Sequence, residues 1–446
     1  MAVRTPSPSS RVAPKSVAYV NARLIDPASG LDAAPSPKGG LLTDGEAVAA
    51  FGADIFATGT PEGAEVIDCG GHVLAPGLVD IRVQLREPGQ AHKESLKSAG
   101  RAAVAGGITS MVGLPNTDPV IDDEAAIEFV ARRARQIGLA KCYAYGAATK
   151  GAEGKEISEM GLLARAGALA FTDGTKAVAN AQVMRRALQY AATFGLMIVQ
   201  HPEEPSLAGG VMNAGELATR LGLAGIPRQA EIILLERDIR LVEMTGGRYH
   251  AAHISTSESV EIIRRAKDRG LPVTCDTAPP YFALNELEVN DYRTFAKLSP
   301  PLRSEDDRQA IVAGLRDGVI DAIASDHAPQ DTDSKRLPFA VAEFGGIGLE
   351  TLLPVTLELV HKGELDLGTV LRLVGWGPAR LMGLEAGCFK VGAPADLVLF
   401  DAERPWRYDA KQSLSKSKNS PFDGRLLQGR VLRTVIDGRT VFDHDA

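Results

Sequence analysis

A chain of 446 residues, 45% hydrophobic and 24% charged, has core material for a barrel of about 250 to 300 residues plus a smaller appended module. The net charge of −7 argues against nucleic acid as the main partner, since that normally needs a basic face, and no run of 18 or more apolar residues is present to span a membrane. Four cysteines (Cys69, Cys142, Cys275 and Cys388) lie far apart without a CxxC pair, and read as reduced thiols of a cytoplasmic protein.

The first 16 residues, MAVRTPSPSSRVAPKS, lack the apolar stretch of a secretory signal and are expected to form a disordered tail. From 17 to 75 short strand patterns alternate with turns, in VAYVNARLID, EAVAAFG and EVIDCGGHVLAPG. The far end has the same texture, in CFKVGAPADLVLFD and RVLRTVIDGRTVF. Two β-rich ends around a long middle predict that the termini meet in one small sheet module.

The middle alternates short apolar runs with amphipathic stretches. GITSMVGLP, KCYAYGAA, GALAFTDG, GLMIVQHPEE, RYHAAHIST, PVTCDTAP and VIDAIASDHAP each read as a buried strand ending in polar or small residues. DEAAIEFVARRARQIG, AQVMRRALQYAATFG, SVEIIRRAKDRG and SEDDRQAIVAGLRDG read as the helices between them. Such alternation predicts an α/β protein, either a parallel barrel or a doubly wound sheet. The polar residues fall at the C-terminal strand ends, where a barrel builds its site.

Four of those ends carry metal-ligand types: Asp173 in FTDG, His201 in VQHPEE, His253 in AAHIST and Asp326 in ASDHAP. Neutral imidazole and carboxylate are the usual ligands of a hydrolytic divalent ion, which polarises a carbonyl and makes bound water nucleophilic near neutral pH. Singly, a strand-end histidine is more often structural and an Asp before Gly is more often a turn residue. Four in succession point to one convergent site.

LVDIRVQLREPG, GLPNTDP, AFTDG, AHIST, KLSPPLR, DGVIDAIASDHAP and GLETLLP, in that order, resemble the motif series of bacterial dihydroorotases in the amidohydrolase superfamily. The resemblance implies a TIM-like (β/α)8 barrel over 76–384, with a small β-sandwich built from 17–75 and 385–446. The activity it implies is reversible opening of dihydroorotate to carbamoyl aspartate in pyrimidine synthesis. By position, Asp173 matches the family's bridging aspartate, and His201 and His253 match its next two metal histidines. Asp326 matches the aspartate that holds the buried metal and acts as general base. Arg86 and Asn116 match the pair that holds the substrate carboxylate.

The chain departs from the family where the chemistry sits. The family's first strand ends Asp-x-His-Val-His, with both imidazoles on the buried metal, whereas this chain reads Asp80-Ile81-Arg82-Val83-Gln84. Arg82 is permanently charged and cannot ligate a cation, and Gln84 is a poor substitute for imidazole. Gln330 stands where a carboxylate-binding His is common, Ser299 where Asn is expected, and Pro280 and Tyr281 where a His-His pair is usual. Asp326, deprived of a metal, would be a costly unpaired carboxylate, so Arg82 is expected to pair with it.

Other candidates carry less. His72 reads as a turn residue, His92 as a solvated loop residue, and Lys150 as an outlying lysine rather than a carbamylated bridge. His250 and His327 should face away from the site by strand alternation. Two readings follow. In the favoured one, the protein is a dihydroorotase-like chain with weak or no activity, kept as a structural or regulatory partner of aspartate carbamoyltransferase. In the alternative, Asp173, His201 and His253 hold one Zn2+ and the protein is a working single-metal cyclic amide hydrolase. A full binuclear centre is not expected in either, and a homo-oligomer is expected in both.

Overall fold

In the computed structural model, residues 15–444 are described. The tail expected over 1–16 lies almost wholly outside them. The apolar runs of the middle are strands because both of their faces are buried. Leu78–Val83 and Ile108–Gly113 have no exposed position, as parallel strands covered on one side by helices and filled on the other require. Eight such strands pair in chain order: Leu78–Val83, Ile108–Gly113, Lys141–Gly146, Ala168–Phe171, Met197–Gln200, Arg248–Ala251, Val273–Thr277 and Ala322–Ile323. A parallel bridge between Val83 and His327, reinforced by Gln84 N donating to His327 O at 2.9 Å, joins the last strand's extension to the first. The sheet is therefore a closed barrel, not a doubly wound sheet.

Helices separate the strands as expected, and their ends follow local capping chemistry. Asp123 caps Glu124–Ile137 through Ala126 N, and the helix stops at Gly138, whose φ of 68° suits a residue without Cβ. Thr256 caps Ser257–Asp268 and Ser304 caps Glu305–Arg316. Each of the three packs apolar positions such as Ile127, Ile263 and Ile311 onto the strands.

The chain's two ends meet in two mixed sheets beside the barrel. One sheet runs Arg439–Asp443, Leu426–Ile436, Leu397–Arg407, Val73–Pro76, Arg23–Asp26 and Leu31–Ala33, so its middle joins C-terminal to N-terminal chain. The other contains Ala47–Gly52, Gly40–Asp44, Val17–Val20 and Glu65–Asp68. Tyr19, Leu41, Leu74, Leu397 and Val435 form their shared core.

One stretch differs from its sequence reading. Between Leu397–Arg407 and Leu426–Ile436, the polar run 409–425 leaves the small sheets and lies against the barrel. Ser415, Ser417, Asn419 and Ser420 are buried there. A buried polar side chain must find hydrogen-bond partners, and this segment finds them in loops at the barrel mouth. Lys416 N donates to Glu94, Ser417 Oγ donates to Lys93 O, and Asn419 contacts three mouth-loop backbone groups.

Candidate active site at the barrel mouth

The C-terminal ends of the strands converge on a cavity of about 290 Å³ whose lining includes Arg82, Arg86, Asn116, His253, Asp326 and Gln330. Three of these end residues hold left-handed backbone without being glycine: Arg86 at φ 59°, His253 at 38° and Asp326 at 49°. Such strain concentrates where a side chain must be aimed rather than relaxed.

Arg82 is the penultimate residue of the first strand, buried and lining the cavity. Its Nε donates to Asp326 Oδ1 at 2.9 Å, and its Nη2 lies 3.4 Å from Gly174 O. The pairing expected from the sequence is present, and Glu87 instead engages Arg133 and Leu96 N. The second oxygen of Asp326 lies 3.0 Å from His253 Nδ1. Burial alone would raise this carboxyl, but His253 and the Arg82 guanidinium more than offset it and hold Asp326 below the usual carboxylate range. His253 is itself pushed down by burial and by Arg82. Its Nε2 lies 2.8 Å from His201 Nδ1, and His201 Nε2 lies 3.3 Å from Glu203.

These contacts decide how the ligand types are used. His201, His253 and Asp326 come together as one chain of hydrogen bonds, running from Glu203 at one end to Arg82 at the other. Asp173 does not join it: Oδ1 accepts from Thr149 N at 2.9 Å and Oδ2 from Thr149 Oγ1 at 2.5 Å, so both oxygens are engaged elsewhere. Among the described residues, no group of three or more His, Cys, Asp or Glu side chains is disposed to hold a metal ion. The ring nitrogens that would face an ion face one another, and a guanidinium sits on the carboxylate that would share it. The donor set does not fit the metal centre that the resemblance implies.

The substrate-side positions are also accounted for. Arg86 Nε donates to Pro329 O at 3.1 Å, and its Nη1 to Gln90 at 3.0 Å. Asn116 Nδ2 donates to Gln84 Oε1 at 3.2 Å, so Gln84 orients the Asn116 amide. Gln330 accepts from Lys93 Nζ at 2.7 Å and donates to Phe344 O at 2.8 Å. Ser299 makes only a long contact, 3.5 Å to Glu203. Tyr281 is buried edge-on to His253 with its hydroxyl on Pro300 O, filling space beside that imidazole.

The lesser histidines behave as alternation predicts. His250 lies 2.8 Å from both Thr274 Oγ1 and Asp276 on the face away from the site. His327 also turns away, but it is buried against Glu94 at 3.4 Å rather than solvated. His72 lies near Asp401, and Lys150 pairs with Glu156 at the surface.

Sequence reasoning missed Glu203, Lys93 and the Glu231–Arg303 support. Glu203 was visible two residues beyond His201 in HPEE. Its Oε1 is buried without a partner among the described residues. Glu231 accepts from Ser255 N and Thr256 N, with Arg303 at 3.7 Å, and thereby anchors the chain just after His253. Nothing in the local sequence around Glu231 marks that role.

Comparison with known proteins agrees with this geometry at the level of family. A family model described as Dihydro-orotase-like matches residues 71–259. The protein named Dihydroorotase of Anaplasma phagocytophilum (strain HZ) is 46% identical over 433 residues, covering 96% of this chain and 95% of its own length. A protein of the same name from Geobacter sp. (strain M21) is 45% identical over 94% of this chain and 97% of its own. Among solved structures, the L-hydantoinase (dihydropyrimidinase) from Arthrobacter aurescens superposes with a TM-score of 0.84 at 27% identity, over 96% of each chain. The dihydropyrimidinase from Brevibacillus agri NCHU1002, at 22% identity and TM-score 0.82 over 96% of this chain and 95% of its own, shares the fold.

Proposed function

The chain belongs to the dihydroorotase family, and on that premise we propose that it is a dihydroorotase-type protein of pyrimidine synthesis that binds its small cyclic amide with weak or no turnover. Its role would then be structural or regulatory, beside aspartate carbamoyltransferase. The observation that carries this is the 2.9 Å pairing of Arg82 with Asp326. Ring opening needs a base free to take a proton from the attacking water. Here the carboxylate in that position is held ionised by a guanidinium and an imidazole, and its stabilisation lowers its appetite for a proton. Binding is less affected: Arg86 and Asn116 still face the cavity, and Arg82 adds a positive wall.

A location in the reducing cytoplasm and self-association belong to the same proposal. The four cysteines being free supports the former. Association with the transcarbamoylase rests on the family resemblance.

A second reading, a working hydrolase that interconverts dihydroorotate and N-carbamoyl-L-aspartate with one bound ion, is favoured by the name and 46% identity of the Anaplasma relative. One measurement separates the two: metal content of the purified protein beside its hydrolysis of dihydroorotate. The favoured reading expects substoichiometric metal, no appreciable turnover and measurable dihydroorotate binding. Stoichiometric zinc with turnover would establish the hydrolase instead.

A further inference from the structure

A cavity of about 300 Å³, separate from the active-site cavity, lies between the short helix Thr332–Arg336 and the polar segment 409–425. Its lining carries four cations, Lys335, Arg336, Lys411 and Lys418, against two carboxylates, Asp331 and Asp423. Among the described residues, none of the four cations has a carboxylate within ion-pair distance. The two carboxylates are turned to the backbone, Asp331 Oδ1 accepting from Ser334 N and Asp423 Oδ1 from Ala410 N, each at 2.9 Å. Asp331 also faces Lys93, at 4.0 Å, on its other side.

Lys335 differs from the other three in being 3% exposed. A lysine buried to that degree is ordinarily paired with a carboxylate. Here the ammonium donates to Glu343 O at 2.7 Å and reaches Lys297 O only at 3.4 Å. An ammonium carries three donors, so one has no acceptor among the described residues. Burial and the Lys297 charge depress this ammonium, with Glu343 acting the other way. Lys418 likewise meets only carbonyls, those of Ser413 and Ser415. Arg336 and Lys411 are exposed, one on each side of the cavity. Cations gathered without counter-charge are costly until an anion arrives.

The rest of the lining says what kind of anion. Phe295 and Ala410 add an apolar surface beside the charges. Small-molecule sites run from about 300 to 1,000 Å³, so the cavity takes one compact ligand and no polypeptide. Four cations against two engaged carboxylates suit a dianion better than a single carboxylate. The cavity also adjoins the barrel mouth. Gln330 lines both cavities, and its N–H donates to Asn419 Oδ1 at 3.1 Å, with Asn419 on the lining of this one.

We propose that this cavity is an effector site for an organic phosphate of nucleotide size. Lys335, Arg336 and Lys411 hold the phosphate, the ring lies against Phe295, and occupancy is passed to the mouth through Asn419 and Gln330. The assignment needs neither turnover nor binding of dihydroorotate.

The test is calorimetric titration of uridine monophosphate, uridine and inorganic phosphate into the full chain, Lys335→Met and Arg336→Ala. Both variants should fold, since Arg336 is exposed and Lys335→Met removes a buried charge. Uridine monophosphate should bind the unaltered chain at least about tenfold more tightly than either fragment. Each variant should weaken it by about tenfold or more, the worth of one charge-assisted hydrogen bond. Hydrogen exchange at the Gln330 amide should slow when the nucleotide is bound. No binding to the unaltered chain would overturn the proposal, as would unchanged affinity in both folded variants, which would place the nucleotide elsewhere. Inorganic phosphate binding as tightly as the nucleotide would overturn the role of Phe295, and unaltered Gln330 exchange would overturn the link to the mouth.

Discussion

Arg82 and Asp326, 244 residues apart in the chain, are joined at 2.9 Å across the seam where the barrel closes. The Val83–His327 bridge lies beside them, and Asp80 reinforces the join by accepting from Arg82 N and Ser325 N, each at 3.1 Å. A charge pair here does two things at once. It neutralises a buried carboxylate whose other partner is the His253 imidazole, and it ties the first strand to the last.

Removing one partner should therefore be expensive. Arg82→Met leaves Asp326 with His253 alone and is expected to lower unfolding free energy by about 3 to 5 kcal/mol. Denaturant unfolding at neutral pH measures it. Adding Asp326→Leu to the same chain should recover most of the loss, since the uncompensated charge goes with it. Strictly additive losses would mean that the two side chains do not communicate.

Restoring the family's imidazoles should restore ligation before chemistry. Arg82→His with Gln84→His is expected to raise zinc content, read by elemental analysis of the purified protein. Hydrolysis should stay well below that of an ordinary dihydroorotase, because Gln330 and Ser299 remain. Zinc content no higher than in the unaltered chain would show that Asp173, still bound to Thr149, withholds a needed ligand.

Asn419 fastens the segment 409–425 to the mouth. Its Oδ1 accepts from Gln330 N at 3.1 Å, and its Nδ2 donates to Ala328 O at 3.2 Å and Gly345 O at 2.9 Å. Asn419→Ala should cost about 2 to 4 kcal/mol, since buried groups on both loops lose their partner. Dihydroorotate affinity should fall with it, because Ala328, Gln330 and Gly345 all line the cavity. Intact stability and affinity would show that these loops hold their positions without the segment.

Lys335 gives a pH signature. It is buried, donates to Glu343 O and Lys297 O, and is pushed down to about 7 by burial and the neighbouring Lys297 charge. The unfolded chain binds this proton up to the ordinary lysine value of 10.5, while the folded chain releases it near 7. Between those limits the unfolded state holds more protons, so the contribution of Lys335 to stability rises with pH. Unfolding free energies of the unaltered protein and Lys335→Met should therefore diverge in favour of the former from about pH 7 upwards. Parallel profiles through that window would remove the assignment.

The sequence alone determined the barrel strands and the gutting of the first ligand pair. Both are matters of residue identity and short-range order: doubly buried strands must read as apolar runs, and Arg82 or Gln84 cannot act as imidazole in any fold. Even the Arg82–Asp326 pairing followed, because a buried carboxylate demands a cation and motif order placed one nearby. Tertiary structure alone decided that Asp173 turns to Thr149, that His201 and His253 face each other, and that Ser417 and Asn419 brace the mouth from the far end of the chain. A carboxylate takes whichever donor closure brings within 3 Å, and those donors come from segments whose spacing along the chain says nothing about their spacing in the barrel.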